Sequence, residues 1–216
     1  MIVIFDWDGT LCDSVNHFVR AMQAAALELA LDVPEVEAVR NIVGLGLHDA
    51  VDMLFPDLPE GGWRDLSAAY SRHYITAEEE PPALFPGALD TLLALRDRGF
   101  ELGVATGKSR RGLQRILGTL ALEEFFDTTR CADETRGKPH PQMLQEILRE
   151  RGKRPRDALM VGDTEYDLDM AGQAGMDAIG VSFGVHSPDR LARHDPVAIV
   201  DELPELLDLP ALSRDR

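Results

Sequence analysis

Cysteine is almost absent. Cys12 and Cys131 are the two in 216 residues, and they stand in no CxxC or Cys/His spacing, so neither a disulfide framework nor a zinc site is expected. Both read as small buried hydrophobes. None of the six histidines has a metal-ligand pattern. Basic residues are also scarce: Lys and Arg number 22 against 38 Asp and Glu, for a formal charge of −16. That balance argues against non-specific binding to nucleic acid or an anionic membrane, which need a positive field. No apolar run is long enough to span a bilayer, and the first residues read as a strand rather than a basic segment ahead of a signal-peptide core. A cytoplasmic protein is therefore expected. No repeat array is visible, and the length suits one domain or a domain carrying a substantial insertion.

What is present begins at once. The apolar run Ile2-Val3-Ile4-Phe5 ends in Asp6-Trp7-Asp8-Gly9-Thr10-Leu11, which puts two carboxylates where a buried strand meets its loop. Two ionised Asp side chains so close repel each other and are costly to desolvate, so a cation or a proton is expected between them. A hard, oxygen-seeking ion such as Mg²⁺ suits them. Gly9 permits a sharp turn, and Thr10 is expected to hydrogen-bond the turn backbone. An Asx-type turn that happens to hold two acids is the blander reading of the same residues.

After Leu11 the period changes. Phe18, Met22, Ala25, Ala26 and Leu29 recur at helical spacing, and helical patterns return around Val51 to Phe55 and around Leu66 to Tyr74. No strand is expected from about Ser14 to about Ala83. Pro81-Pro82 and Phe85-Pro86-Gly87 mark a return linker. Helices are then predicted over Ala88 to Arg98, Arg110 to Leu120, Gln142 to Arg151 and Leu168 to Ala174. Strands are predicted over Phe100 to Ala105, Phe126 to Cys131, Ala158 to Val161 and Asp177 to Val181. Alternating strands and helices imply an α/β protein with a parallel sheet covered on both faces and ligands at the carboxyl ends of its strands. The insertion after the first strand reads as an all-helical cap, residues 14–83, on a core of residues 1–13 and 84–216.

The other polar groups of interest fall at such strand ends. Thr106 follows Leu102-Gly103-Val104-Ala105, so its hydroxyl and the next amides, Gly107 onward, suit an oxyanion ahead of a helix capped by Ser109. Gly107-Lys108-Ser109 is not a nucleotide P-loop, because Leu102 stands where its first glycine belongs. Gly44-Leu45-Gly46 is not a dinucleotide fingerprint either: Asp49 replaces the third glycine, and a helix break is the better reading. Lys138 precedes Pro139, a residue favoured in a first helical turn, so a cation beside helix amides is expected. Asp163 ends the strand Leu159-Met160-Val161, and Asp167 lies where it could orient a ligand water or Lys138. Asp169 receives no role.

DxDGT, a strand-end Thr, a Lys-Pro pair and GDxxxD, in that order, resemble the four motifs of the haloacid dehalogenase-like hydrolase superfamily. The insertion looks like the helical cap of its subfamily I, and the whole is similar to phosphoglycolate phosphatase-like members with a Rossmann-like core. Trp7 departs from the aliphatic residue many members carry, and should point away from the metal. The resemblance implies that Asp6 is the nucleophile, forming an aspartyl-phosphate, and that Asp8 is first general acid and then general base. It implies Mg²⁺ on the Asp6 carboxylate, the Asp8 backbone carbonyl and Asp163, with Thr106 and Lys138 on the transferring oxygens. The second Asp favours a phosphomonoester over carbon–halogen or carbon–phosphorus bonds, because haloacid dehalogenases and phosphonate-cleaving relatives depart at that position. The expected partner is a small phosphorylated metabolite such as phosphoglycolate or a sugar phosphate. A β-phosphoglucomutase-type mutase keeps the same Asp and stays open. A receiver-like phosphoacceptor or phosphate-binding module is the alternative of another class. Specificity would lie in the cap, with Arg40, Gly44, Gly46 and His48 as candidate contacts or as an external turn. Arg110 and Arg111 could meet a substrate carboxylate or form a solvated face, and His17 could approach the site or be a boundary histidine.

Overall fold

The computed structural model describes residues 1–59, 61–76 and 82–213. Pro81 of the expected return linker lies outside the described residues, as do positions 60 and 77–80 of the expected cap and 214–216 of the expected core. The opening apolar run is strand β1 (Ile2–Phe5), buried at every position. Four helices follow among the described residues: α1 (Val15–Glu28), α2 (Val36–Asn41), α3 (Leu47–Leu54) and α4 (Gly62–Thr76). The chain then alternates through α5 (Ala88–Asp97), β2 (Glu101–Thr106), α6 (Arg110–Thr119), β3 (Thr128–Cys131), α7 (Gln142–Arg151) and β4 (Ala158–Gly162). It finishes with α8 (Glu165–Ala174), β5 (Asp177–Val181), α9 (Pro188–Leu191) and β6 (Ala198–Val200). The strands form one parallel sheet in the order β3-β2-β1-β4-β5-β6, the α/β, Rossmann-like architecture the alternation implies.

The sheet is buried on both faces because its strands carry apolar side chains on both. Val3 and Phe5 face one core with Leu102, Val104 and Val161; Ile2 and Ile4 face the other with Met160, Met143 and Leu144. Trp7 is fully buried in the first of these cores, edge-on to Phe126. The four inserted helices have their own apolar centre, built on Val19, Met22, Ala25, Val39, Val51, Leu66 and Ala69. The two passages between insertion and sheet lie side by side: Cys12 bridges Leu84 antiparallel, and Asp13 donates its amide to the Ala83 carbonyl at 2.9 Å.

Three expectations need correction. Lys138 does not stand beside helix amides: α7 begins at Gln142, where the periodicity places it, four residues further on. Pro141 cannot donate an amide and disfavours helical geometry at His140 before it, so Lys138 comes from a loop with a cis peptide bond to Pro139. Helix α8 begins at Glu165 rather than Leu168, because Thr164 and Asp167 form a reciprocal capping box. Helix α2 went unpredicted. It is six residues long with only Val39 buried, too little for a visible period.

Candidate active site

Register gathers the site. Phe5 pairs with Val104 on one side and Val161 on the other, so three central strands end almost level. Asp6 continues the ladder, donating its amide to the Val161 carbonyl at 2.9 Å. Thr106 and Asp163 stand just beyond their neighbours' ends. Gly9, at φ +87°, turns the chain back, and a Cβ there would meet the Asp163 carboxylate carbon at 2.8 Å, so the turn needs glycine twice over.

Lys138 crosses from its loop into this cluster. Its ammonium donates to Asp6 Oδ1 at 2.5 Å and Asp167 Oδ1 at 2.6 Å, with all three side chains buried. Burial alone would depress the lysine's pKa, but Asp167 and Asp6 more than reverse it, so it stays charged. The other Asp167 oxygen accepts from the Thr164 amide and hydroxyl at 3.1 and 2.7 Å. Asp163 accepts from the Thr10 hydroxyl and the Val185 amide, both at 2.8 Å. Thr10 thus serves Asp163 rather than its own turn, since a buried carboxylate is the better acceptor. Asp6 Oδ2 is buried with no hydrogen-bond partner among the described residues.

These carboxylates fit a cation. Oxygens of Asp6, Asp163 and Asp167 lie within 4.8 Å of one another, and Lys138 is the one cation that pairs with them among the described residues. Asp167 already accepts three hydrogen bonds, so the orphaned Asp6 Oδ2 and the remaining lone pairs of Asp163 are the freer donors. A hard ion with oxygen ligands suits that pair. Burial, with Asp167 next, pushes the Asp163 carboxyl up to about 7, offset in part by Val185, Thr10 and Lys138. Burial likewise raises Asp6, which Lys138 opposes and Asp167, Asp163 and Asp8 reinforce. A carboxyl whose folded pKa exceeds its unfolded value binds more protons when folded, so stability falls as pH rises from about 4 towards 7. Chelated protein should therefore melt lower at pH 7.5 than at pH 5. Mg²⁺ at about 100 times its Kd should restore about 2.7 kcal/mol, roughly 5 to 10 °C at this chain length, with a larger gain at pH 7.5. Differential scanning fluorimetry at both pH values checks the sign.

Asp8 points the other way. Its Oδ1 lies 2.9 Å from Lys108 Nζ and accepts from the Ser14 hydroxyl. Lys108 also donates to the Tyr74 hydroxyl of α4 at 3.1 Å. Burial opposes its charge, but Asp8, Tyr74 and Tyr70 hold its pKa well above the usual lysine range. Thr106 is buried, its hydroxyl oxygen accepting from the Lys108 amide at 3.2 Å. Ser109 caps α6 as expected. Asp8 lines a cleft of about 330 Å³ whose walls come from α1, the α2–α3 loop, α4 and the start of α6.

The insertion meets the strand ends closely. A Cβ on Gly107 would stand 2.6 Å from the Gly44 carbonyl oxygen and nearer still to that of Leu45. Gly107→Ala should therefore push the Gly44–Leu45 loop outward, lowering kcat/KM by about 10- to 100-fold, since a displacement near 1 Å costs that much. Steady-state kinetics beside an unchanged circular dichroism spectrum tests it.

The candidates chosen from sequence divide. Asp6, Lys138, Asp163 and Asp167 form one cluster, and Asp8, Thr106 and Gly107 border it. Of the cap candidates, Gly44 lines the cleft, and Gly46 abuts Ala132 instead. Arg40 lies 4.0 Å from Glu37, and His48 sits beside Asp52 and the Trp63 ring, so neither reaches it. Arg110 ties α6 to Glu134 and Thr129, while Arg111 lines the cleft. His17 is not among the lining residues. Lys108 and Ser14 were missed. The signal for Lys108 was its place two residues after Thr106.

A buried lysine bridging two carboxylates, one of them at the end of a central parallel strand, marks a candidate catalytic centre on an α/β sheet. Residues 3–181 match the family of haloacid dehalogenase-like hydrolases. The chain is 35% identical to a protein of Dickeya dadantii named probable phosphatase IndB, over 95% of this chain and 91% of that one. It is 30% identical to a phosphoglycolate phosphatase of Salmonella typhimurium, over 97% and 91%. A haloacid dehalogenase-like family hydrolase from Streptococcus pneumoniae superposes with a TM-score of 0.83 at 24% identity, covering 96% of each chain. The chain belongs to the haloacid dehalogenase-like hydrolases and is an enzyme of their phosphatase branch. Among the described residues, no helix is long and apolar enough to cross a membrane.

Proposed function

We propose that this enzyme hydrolyses monoesters of small organic phosphates with Mg²⁺, through phosphorylation of Asp6. The observation that carries the reading is the divergence of two carboxylates two residues apart. Asp6 faces Lys138 and Asp163, while Asp8 faces Lys108 and the cleft. Residues 14–83 act as the cap and residues 1–13 with 84–216 as the catalytic core in this reading, supported by the separate apolar centre of the four helices.

The Asp6 carboxylate attacks phosphorus as the ester P–O bond breaks, and Asp8, which must enter this step protonated, delivers that proton to the departing alkoxide. Asp8 then takes a proton from water, whose oxygen attacks phosphorus, and the Asp6–phosphorus bond breaks to give inorganic phosphate. Lys138 and the Thr106 hydroxyl hold the transferring oxygens, and Asp167 positions Lys138. Mg²⁺ held by Asp6, Asp163 and the Asp8 backbone carbonyl would offset repulsion between carboxylate and phosphate. The substrate would be a phosphorylated metabolite, and its place of action the cytoplasm, where buried thiols such as Cys12 and Cys131 stay free.

The test is inorganic phosphate release from a panel of phosphomonoesters. Turnover with Mg²⁺ that chelation removes and Mg²⁺ restores is the expected result. Transfer between positions of a sugar phosphate without phosphate release would favour a mutase, and folded enzyme inert on every ester would overturn the reading.

A further inference from the structure

The cleft bordering Asp8 holds information about the leaving group. In-line displacement puts the departing oxygen opposite Asp6, and the group that protonates it must be within hydrogen-bond reach. If Asp8 is that group, as the proposed function holds, the alcohol lies in the cavity that Asp8 lines.

Its walls are unlike those of a polyol site. Phe18 of α1 packs against Tyr70 of α4 with ring centroids 5.1 Å apart, and Tyr70 against Tyr74 at 5.6 Å. The three rings form a continuous aromatic wall, which Leu45, Leu47 and Ile116 extend. The inner polar groups already satisfy one another, Asp8 with Lys108 and Lys108 with the Tyr74 hydroxyl. A sugar would set hydroxyls against the ring faces of Phe18, Tyr70 and Tyr74, which offer them no conventional hydrogen-bond partner, although Ser71, Ser109, Arg111 and Arg115 also line the cavity. A two-carbon leaving group would leave most of about 330 Å³ unfilled, a volume at the lower end of pockets that bury whole organic ligands. Lys108, Arg111 and Arg115 also line the cavity, so the occupant carries no positive charge.

We infer that the preferred substrates are phosphomonoesters of uncharged or anionic alcohols bearing an apolar ring, packed against Phe18, Tyr70 and Tyr74. This rests on the phosphatase reading, and the test separates the two. Benzyl phosphate and ethyl phosphate both release unactivated primary alcohols, so their ratio of kcat/KM reports the ring rather than leaving-group reactivity. Burial of a phenyl-sized group predicts a ratio on the order of 10 to 100 in favour of benzyl phosphate, with 2-phosphoglycolate also below it. Tyr70→Ala should bring the ratio close to one, and Tyr70→Phe should preserve it. Because a ratio cancels the fraction of folded enzyme, loss of stability in Tyr70→Ala cannot imitate the effect. A wild-type ratio near one, or a ratio unchanged in Tyr70→Ala, overturns the inference and leaves the phosphatase reading standing. Absence of turnover on all three esters overturns that reading itself.

Discussion

Asp6→Asn is expected to lower kcat on every phosphomonoester by at least about 10⁴-fold while raising the melting temperature of the metal-free protein. The two effects share one cause. The carboxylate proposed to attack phosphorus is buried beside Asp163 and Asp167, with Lys138 between it and Asp167, and burial and these acids raise its pKa. An amide removes the like-charge repulsion but still offers Lys138 an acceptor, and Lys138 keeps Asp167. An amide is also a poor nucleophile toward phosphorus. Kinetics and thermal melting of the same preparation check both halves; a variant that loses activity by unfolding would show the opposite stability change.

The second large effect concerns Lys138 itself. Lys138→Met removes the ammonium from between Asp6 and Asp167 and leaves two buried carboxylates facing each other. Removing one partner of a buried ion pair costs about 3 to 5 kcal/mol, so urea unfolding should show a loss of that size, with activity down by about 10³-fold or more. Adding Asp167→Asn to Lys138→Met should recover much of the stability and none of the activity. Double-mutant urea curves measure that coupling. Additive losses would mean that Asp167 supports the fold independently of Lys138, through its capping of α8 alone.

The elements that carry the chemistry were legible because short local patterns encode them. The Ile2–Phe5 and Leu102–Ala105 runs each end on a polar residue, the Leu159–Val161 run reaches one after Gly162, and a parallel sheet brings such ends together. Position along the strand therefore predicted that Asp6, Thr106 and Asp163 meet. The partners of those groups were less legible, since they depend on contacts distant in sequence. Lys138 reaches Asp6 across 132 positions, and nothing near Pro139 tells whether that lysine starts a helix or leaves a loop. Thr10 looked like a turn residue until Asp163 was placed within 2.8 Å of it. Tyr70 and Tyr74 read as helix periodicity, because spacing identifies a face but not what it faces. Lys108 was set aside with the false P-loop, though its role comes from Asp8 and Tyr74 rather than from any glycine.

The central claim is that phosphate passes through Asp6, and trapping that adduct tests it most directly. Asp8→Asn keeps the nucleophile but removes the base that activates water, so the second step should stall. An aryl phosphate serves as donor because its leaving group needs no proton. After brief incubation with Mg²⁺ and acid quench, peptide mapping by mass spectrometry should find one added phosphoryl group on Asp6, converted to homoserine by borohydride reduction. A phosphoryl group on another residue, or rapid phosphate release with no adduct on Asp6, would contradict the account.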